Sequence, residues 1–172
     1  MDIHESPKGC IRTNSGLFIN VFEPTKDVIS IEDIAHALAS IPRFGGHLNR
    51  HYSVAQHSVM CMMKLASLED KKAALMHDAS EAYLGDIPTP IKARLPEYKE
   101  CEHNLMLMIA DKFGFQYPLN EAVKEVDARM LQIEWETLVL EDSKDFDCWD
   151  HATAKQLFLR VYHELFVEAV VV

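Results

Sequence analysis

The sequence is poor in positive charge. It carries 17 lysines and arginines against 27 aspartates and glutamates, a formal net charge of −10 over 172 residues. Broad nucleic-acid binding needs a basic face, so that class of partner is not expected. A small phosphate ligand stays open, because a few gathered cations make a local positive field. No apolar run approaches the ~18 residues that cross a bilayer, so no membrane role is expected. The opening Met1-Asp2-Ile3-His4-Glu5 has neither the basic nor the apolar region of a secretory signal, which points to the cytoplasm. The four cysteines, at 10, 61, 101 and 148, are far apart and include no Cys-x-x-Cys pair. That spacing offers no thiolate zinc site and no disulfide framework, and all four are read as free thiols in a reducing compartment. Internal repeats and low-complexity tracts are absent as well.

What is present is ordinary globular composition, with 48% hydrophobic and 26% charged residues, in a length suited to one domain over residues 1–172. Cys10–Thr13 and Phe18–Phe22 flank Asn14-Ser15-Gly16, a hairpin signature ended by Pro24. From there the periodicity is helical. Ser30 caps a helix through Ala39, and Ser53 with Gln56 has capping-box spacing for one over Val54–Ala66. Ser67 caps a third that contains Leu75, Met76, Ala79 and Ala82 and stops before Gly85. Pro88 and Pro90 then predict an extended loop. Pro96 opens a helix to Phe113, ended by Gly114, and Asn120 caps another reaching Leu140. An acidic, solvated loop at Glu141–Asp147 precedes a final helix after Asp150. The fold class read from this pattern is all-α, a helical bundle with a small N-terminal β-hairpin. Leu105, Met108, Ile109 and Phe113 form one core stripe, and Val123, Val126, Met130, Ile133 and Leu138 another. The apolar end, Ala169-Val170-Val171-Val172, suggests a contact in a homo-oligomer.

Histidine is over-supplied, with nine in the chain, and a few of them are placed suggestively. His57, the pair His77-Asp78, and Asp127 fall on separate expected helices. Imidazole nitrogens and carboxylate oxygens are the usual ligands of a divalent cation, and bundle cores build metal sites from facing helices. Adjacent His77 and Asp78 would project about 100° apart around one helix, where a metal between them is within reach of both. Glu81 lies at i+4 from His77 and i+3 from Asp78, on the same face. Asp86 and Lys92 follow on the proline-stiffened segment. Cation, acid, second acid and lysine are what hydrolysis of a phosphate ester requires.

Three blocks carry a family resemblance. They are Arg43-Phe44-Gly45-Gly46-His47, Tyr52-Ser53-Val54-Ala55-Gln56-His57-Ser58-Val59, and the run from His77-Asp78-Ala79-Ser80-Glu81 through Gly85-Asp86-Ile87-Pro88-Thr89-Pro90-Ile91-Lys92. With Asp127, they resemble the HD-domain metal-dependent phosphohydrolases. The likeness is greatest to a compact phage and bacterial subgroup with dATP triphosphohydrolases and related 5′-deoxynucleotidases. The resemblance implies that His57, His77, Asp78 and Asp127 hold the catalytic metal, that Glu81 handles the nucleophilic water, and that Asp86 is a second acid. It implies substrate contacts from Arg43 and Phe44, and from Lys92 and Lys124 along a phosphate chain; His47 is a further candidate near the substrate. Two imidazoles and two carboxylates suit a transition metal, with cobalt, zinc or manganese foremost. The expected reaction is hydrolysis of a deoxynucleotide, with dATP giving deoxyadenosine and triphosphate. The alternative is a dNMP substrate giving deoxynucleoside and phosphate. A non-catalytic nucleotide or metal sensor is the competing class.

Overall fold

Five helices begin on a side chain that can accept a backbone hydrogen bond. In the computed structural model, which describes residues 7–170, Ser30, Ser53, Ser67, Asn120 and Asp150 each accept from the amide three residues on. Such caps contribute about 1 kcal/mol each. The helices are α1 (Ile31–Ser40), α2 (Val54–Met63), α3 (Leu68–Met76), α4 (Glu81–Leu84), α5 (Thr89–Lys92), α6 (Pro96–Phe113), α7 (Glu121–Glu134) and α8 (His151–Phe166). The architecture is an all-α bundle with one small hairpin. No helix among the described residues is long and apolar enough to cross a membrane. The opening Met1–Glu5 and the terminal Val171 and Val172 lie outside the described residues.

Helix α2 is the axis of the bundle. Every residue from Val54 to Val59 is buried, so this part of the helix has no solvent face and belongs in the interior. Helices α1, α3, α7 and α8 pack on it. Ile34 and Leu38 of α1, Leu75 and Met76 of α3, Met130 of α7 and Phe158 of α8 are fully or almost fully buried in the shared core. Both expected stripes enter the core, with Leu105, Ile109, Val123 and Met130 buried there and Met108, Phe113, Val126 and Ile133 packed against them; Leu138 is buried beside the core, lining a cleft. The hairpin is shorter than its pattern. Strand β1 is Ile11–Arg12 and strand β2 is Phe18–Ile19, paired antiparallel with Ile11 opposite Ile19. Ile19 is buried, whereas Ile11 is 44% exposed, so only one strand has a core to pack on. Asp33 of α1 anchors the turn, accepting from the Ser15 amide at 2.7 Å and its hydroxyl at 2.6 Å.

Three expectations need correction. The helix capped by Ser67 does not run to Gly85; it breaks after Met76. The His77 Nδ1–H donates to the Ala74 carbonyl at 2.7 Å, the oxygen that a continuing helix would offer to the Asp78 amide. The next bonds reach back three residues, from Ala79 to Met76 and from Glu81 to Asp78, each 3.0 Å. His77 and Asp78 therefore sit in a tight turn between α3 and α4. Second, Pro88–Pro90 is not wholly extended. Pro90 falls in the first turn of α5, where a missing N–H costs no helical bond. Third, the Gln56 side chain does not complete a capping box. It donates to the Asp147 carbonyl at 2.6 Å and accepts from the Trp149 amide at 2.8 Å. With the Arg50 guanidinium donating to the Phe146 and Ser143 carbonyls, the acidic loop is fastened to the bundle. Smaller differences concern helix ends. Helix α2 stops at Met63, and the helix from Asn120 reaches Leu140 by widening into a π turn over Trp135–Leu140. Gly114 ends α6 in the left-handed conformation, φ 76°, which a side chain would oppose.

Candidate metal centre and its pocket

The fold brings His57 of α2, His77 and Asp78 of the tight turn, and Asp127 of α7 to one point. The two Nε2 atoms are 3.3 Å apart. Asp127 Oδ1 lies 3.0 Å from His57 Nε2 and 3.6 Å from His77 Nε2. Asp78 Oδ2 lies 3.2 Å from His77 Nε2 and 3.9 Å from His57 Nε2. The Nδ1 atoms are occupied elsewhere, by Glu134 Oε1 at 2.6 Å from His57 and by the Ala74 carbonyl at 2.7 Å from His77. A carboxylate and a carbonyl only accept, so both Nδ1 atoms carry the proton. The Nε2 lone pairs then face each other and two carboxylates. Such a cluster is stable only around positive charge. Two nitrogens and two oxygens with outward-anchored imidazoles match a transition-metal donor set.

The charges within the cluster point the same way. Burial resists charge on His77, but Asp78 and Asp127 outweigh it, and the imidazole titrates well above its ordinary range. Burial likewise opposes ionisation of Asp78, yet His77 and His57 hold its carboxyl down at about 2. Asp127, bonded to both histidines, is held lower still. A proton fills the place that a cation would take, and metal binding would displace it.

Two residues at the centre were not singled out in the sequence. Cys61 follows His57 by one helical turn, and its sulfur lies among the same group of donor atoms. Its Sγ is 3.5 Å from His57 Nε2 and 3.9 Å from Nδ1. A sulfur along the Nε2 lone pair would be much farther from Nδ1, so Cys61 lies over the ring rather than in the coordination direction. The chain's four cysteines are all free thiols. The second residue is Glu134, a charged side chain with 0% exposure. Its only signal is position: it stands seven residues after Asp127, two turns along one face, amid an apolar stripe.

Beside the cluster lies a polar pocket of about 190 Å³, lined by Arg43, Asp78, Glu81, Asp86, Lys92 and Asp127 among others. Arg43 is buried and held by its own backbone, whose amide donates to the Tyr52 carbonyl at 2.8 Å. Its Nη1 is 3.8 Å from Asp78 Oδ2. Phe44 follows with φ 56°, a conformation costing about 1–3 kcal/mol for a side-chain-bearing residue. Glu81 is 5% exposed, and its Oε2 has no hydrogen-bond partner. Burial, then Asp78 and Asp86, push its carboxyl up to about 9. Asp86 is raised too, chiefly by burial. Lys92 stands between two acids, 2.7 Å from Glu102 and 3.7 Å from Glu81. Lys124 is not brought in. Its ammonium pairs with Glu121 at 2.7 Å on the surface, and it lines neither this pocket nor its neighbour.

That neighbour is a mainly apolar cleft of about 820 Å³ that shares Phe44, Thr89 and Leu131 with the polar pocket. The Phe44 and Trp135 rings meet there with centroids 6.3 Å apart. His47 lines this cleft. Two further histidines are engaged elsewhere: His51 Nε2 donates to the Ala39 carbonyl, and His103 Nδ1 meets the Tyr117 hydroxyl.

Comparison with known proteins adds kinship. No family model matches the chain. It is 41% identical over 148 residues to the Escherichia coli protein YfdR, covering 86% of this chain and 83% of YfdR. An uncharacterized protein of Rhodobacter capsulatus is 34% identical over 140 residues, 74% of this chain and 71% of that one. A protein of Vibrio parahaemolyticus named 5′-deoxynucleotidase is 35% identical over 117 residues, 60% of this chain and 52% of that one. The chain thus spans about half the length of that Vibrio relative. On the first two relatives, the chain belongs to the family of YfdR.

Proposed function

We propose that the chain is a metal-dependent phosphohydrolase of the HD type that cleaves 2′-deoxynucleoside 5′-monophosphates to deoxynucleoside and phosphate. The observation that carries this reading is the pair of imidazole Nε2 atoms 3.3 Å apart, walled by Asp78 and Asp127 and opening on a pocket that holds Arg43, Glu81, Asp86 and Lys92. His57, His77, Asp78 and Asp127 would hold the ion, with cobalt, zinc or manganese the best match to these donors. A divalent cation at such a site lowers the pKa of bound water towards ~7 and offsets charge on phosphoryl oxygens. The rest of the chemistry falls to the chain's own groups. Arg43 and Lys92 bind the phosphate oxygens. Glu81 takes the proton from the attacking water: burial and then Asp78 raise its carboxyl, and positive charge at the cluster offsets the Asp78 part. Asp86, raised by burial, returns a proton to the departing 5′ oxygen. Phe44 lies against the sugar.

The monophosphate reading has more support than cleavage of dATP to triphosphate. The relatives from Vibrio parahaemolyticus and Vibrio vulnificus are named 5′-deoxynucleotidases. A cradle for three phosphates would draw on Lys124, which is paired with Glu121 on the exposed surface of α7. The deciding experiment incubates Co²⁺-loaded protein with the four dNMPs and the four dNTPs and separates the products. Inorganic phosphate and deoxynucleoside from a dNMP are expected. Triphosphate released from a dNTP, with dNMPs untouched, would restore the triphosphohydrolase; no product from any of the eight would overturn both.

A further inference from the structure

Glu134 accepts from three donors, and pairs with a fourth nitrogen, without meeting solvent. The His57 Nδ1–H and the Tyr52 hydroxyl both donate to its Oε1 at 2.6 Å. Arg43 Nε donates to its Oε2 at 3.0 Å, and Nη2 stands 3.0 Å from the same oxygen in an ion pair. The two oxygens thus serve two different parts of the site. Oε1 holds the imidazole as the Nδ1–H tautomer, so its Nε2 lone pair points to the cluster. Oε2 engages one edge of the guanidinium, so the remaining Nη1 is the nitrogen left towards the pocket, 3.8 Å from Asp78. Helix α7 supplies this carboxylate two turns after Asp127, so one rigid element presents both the anion in front of the imidazole and the anion behind it.

We propose that Glu134 is the positioning residue of this site, a single carboxylate that sets the ligand histidine and the phosphate-facing arginine together; this rests on the metal-dependent reading above. The chemistry requires a carboxylate of this length. All its partners are donors, so a glutamine would set an NH₂ against at least one of them. An aspartate, one methylene shorter, could not span from α7 to both His57 and Arg43. As a stability device the arrangement is poor, since burying an ion pair costs desolvation that the pairing hardly returns. Its gain is orientation: partners behind metal-binding histidines fix the ring and raise its basicity.

The test is Co²⁺ titration of chelated wild-type, Glu134→Gln and Glu134→Asp proteins, followed by ligand-field absorption, with folding checked by circular dichroism. Both folded variants should bind Co²⁺ about 10–100-fold more weakly. At saturating Co²⁺ the glutamine variant should also show a raised KM for dAMP, because Arg43 is released by the same change. A purely structural glutamate would move the unfolding midpoint and leave the Co²⁺ affinity and spectrum alone, which would overturn the proposal. Should neither variant fold, ¹⁵N spectra of the Zn²⁺-loaded wild type decide: an Nδ1–H His57 supports the role and an Nε2–H His57 refutes it. Wild-type protein that takes up no Co²⁺ overturns the metal reading and this role with it. Weakened Co²⁺ binding in a protein that cleaves no deoxynucleotide supports the role and removes only the substrate reading.

Discussion

Glu81 is a carboxyl that keeps its proton to about pH 9 in the ion-free pocket, against an ordinary value of 4.5. Between those values the folded protein holds a proton that the unfolded chain has lost, so stability falls as pH rises through that window. Glu81→Gln removes the slope. In chelated protein its melting temperature should match wild type near pH 5 and exceed it by about 3 °C or more at pH 8, as scanning calorimetry would show. Asp78→Ala should lower kcat/KM for dAMP by at least ~10³-fold, the loss expected when several kcal/mol of transition-state stabilisation goes; steady-state assays at saturating Co²⁺ measure it. At this scale the sequence was partly legible. His57, His77-Asp78 and Asp127 stand out because polar groups recur where a helical pattern expects core. Glu134 was hidden because a lone charge is ordinarily assigned to solvent even within an apolar stripe, and only its partners Arg43, Tyr52 and His57, distant in the chain, keep it inside.

The elements divide the work between a buried post and a fastened rim. Helix α2 carries His57 in the core, while Gln56 beside it holds the segment before α8 through the Asp147 carbonyl and the Trp149 amide. Gln56→Ala should cost about 0.5–1.5 kcal/mol in urea unfolding, since two part-buried hydrogen bonds to this segment are lost. Amide exchange should quicken at 147–149 and not in the β1–β2 hairpin. Capping residues made the starts of α1, α2, α3, α7 and α8 legible, because a cap is a local bargain between one side chain and one amide. The break after Met76 was not legible. It arises when the His77 ring takes the Ala74 carbonyl, and nothing in local propensity marks that choice. Pro88 and Pro90 misled in the same way, because proline is as well suited to a first helical turn as to a loop.

For the molecule as a whole, charge is the governing quantity. The chain carries −10, and in the polar pocket Arg43 and Lys92 face Asp78, Asp86 and Asp127 while already paired with Glu134 and Glu102. Under the proposed function, an anionic substrate entering that pocket without a metal would be repelled, so the cation would serve binding as well as chemistry. Calorimetry should show dAMP binding to Co²⁺-loaded protein and none after chelation; equal binding in both states would assign the phosphate to Arg43 and Lys92 alone. The bundle itself was legible from apolar periodicity and caps. The pocket was not, because it forms where the Arg43–Phe44 turn, the His77–Ser80 turn, α5 and α7 meet. The most direct measurement is X-ray absorption at the cobalt edge of the loaded protein. One Co²⁺ per chain, ringed by nitrogen and oxygen with two imidazoles and no sulfur, is the predicted result. A sulfur neighbour from Cys61, or a spectrum unchanged by His77→Ala, would contradict it.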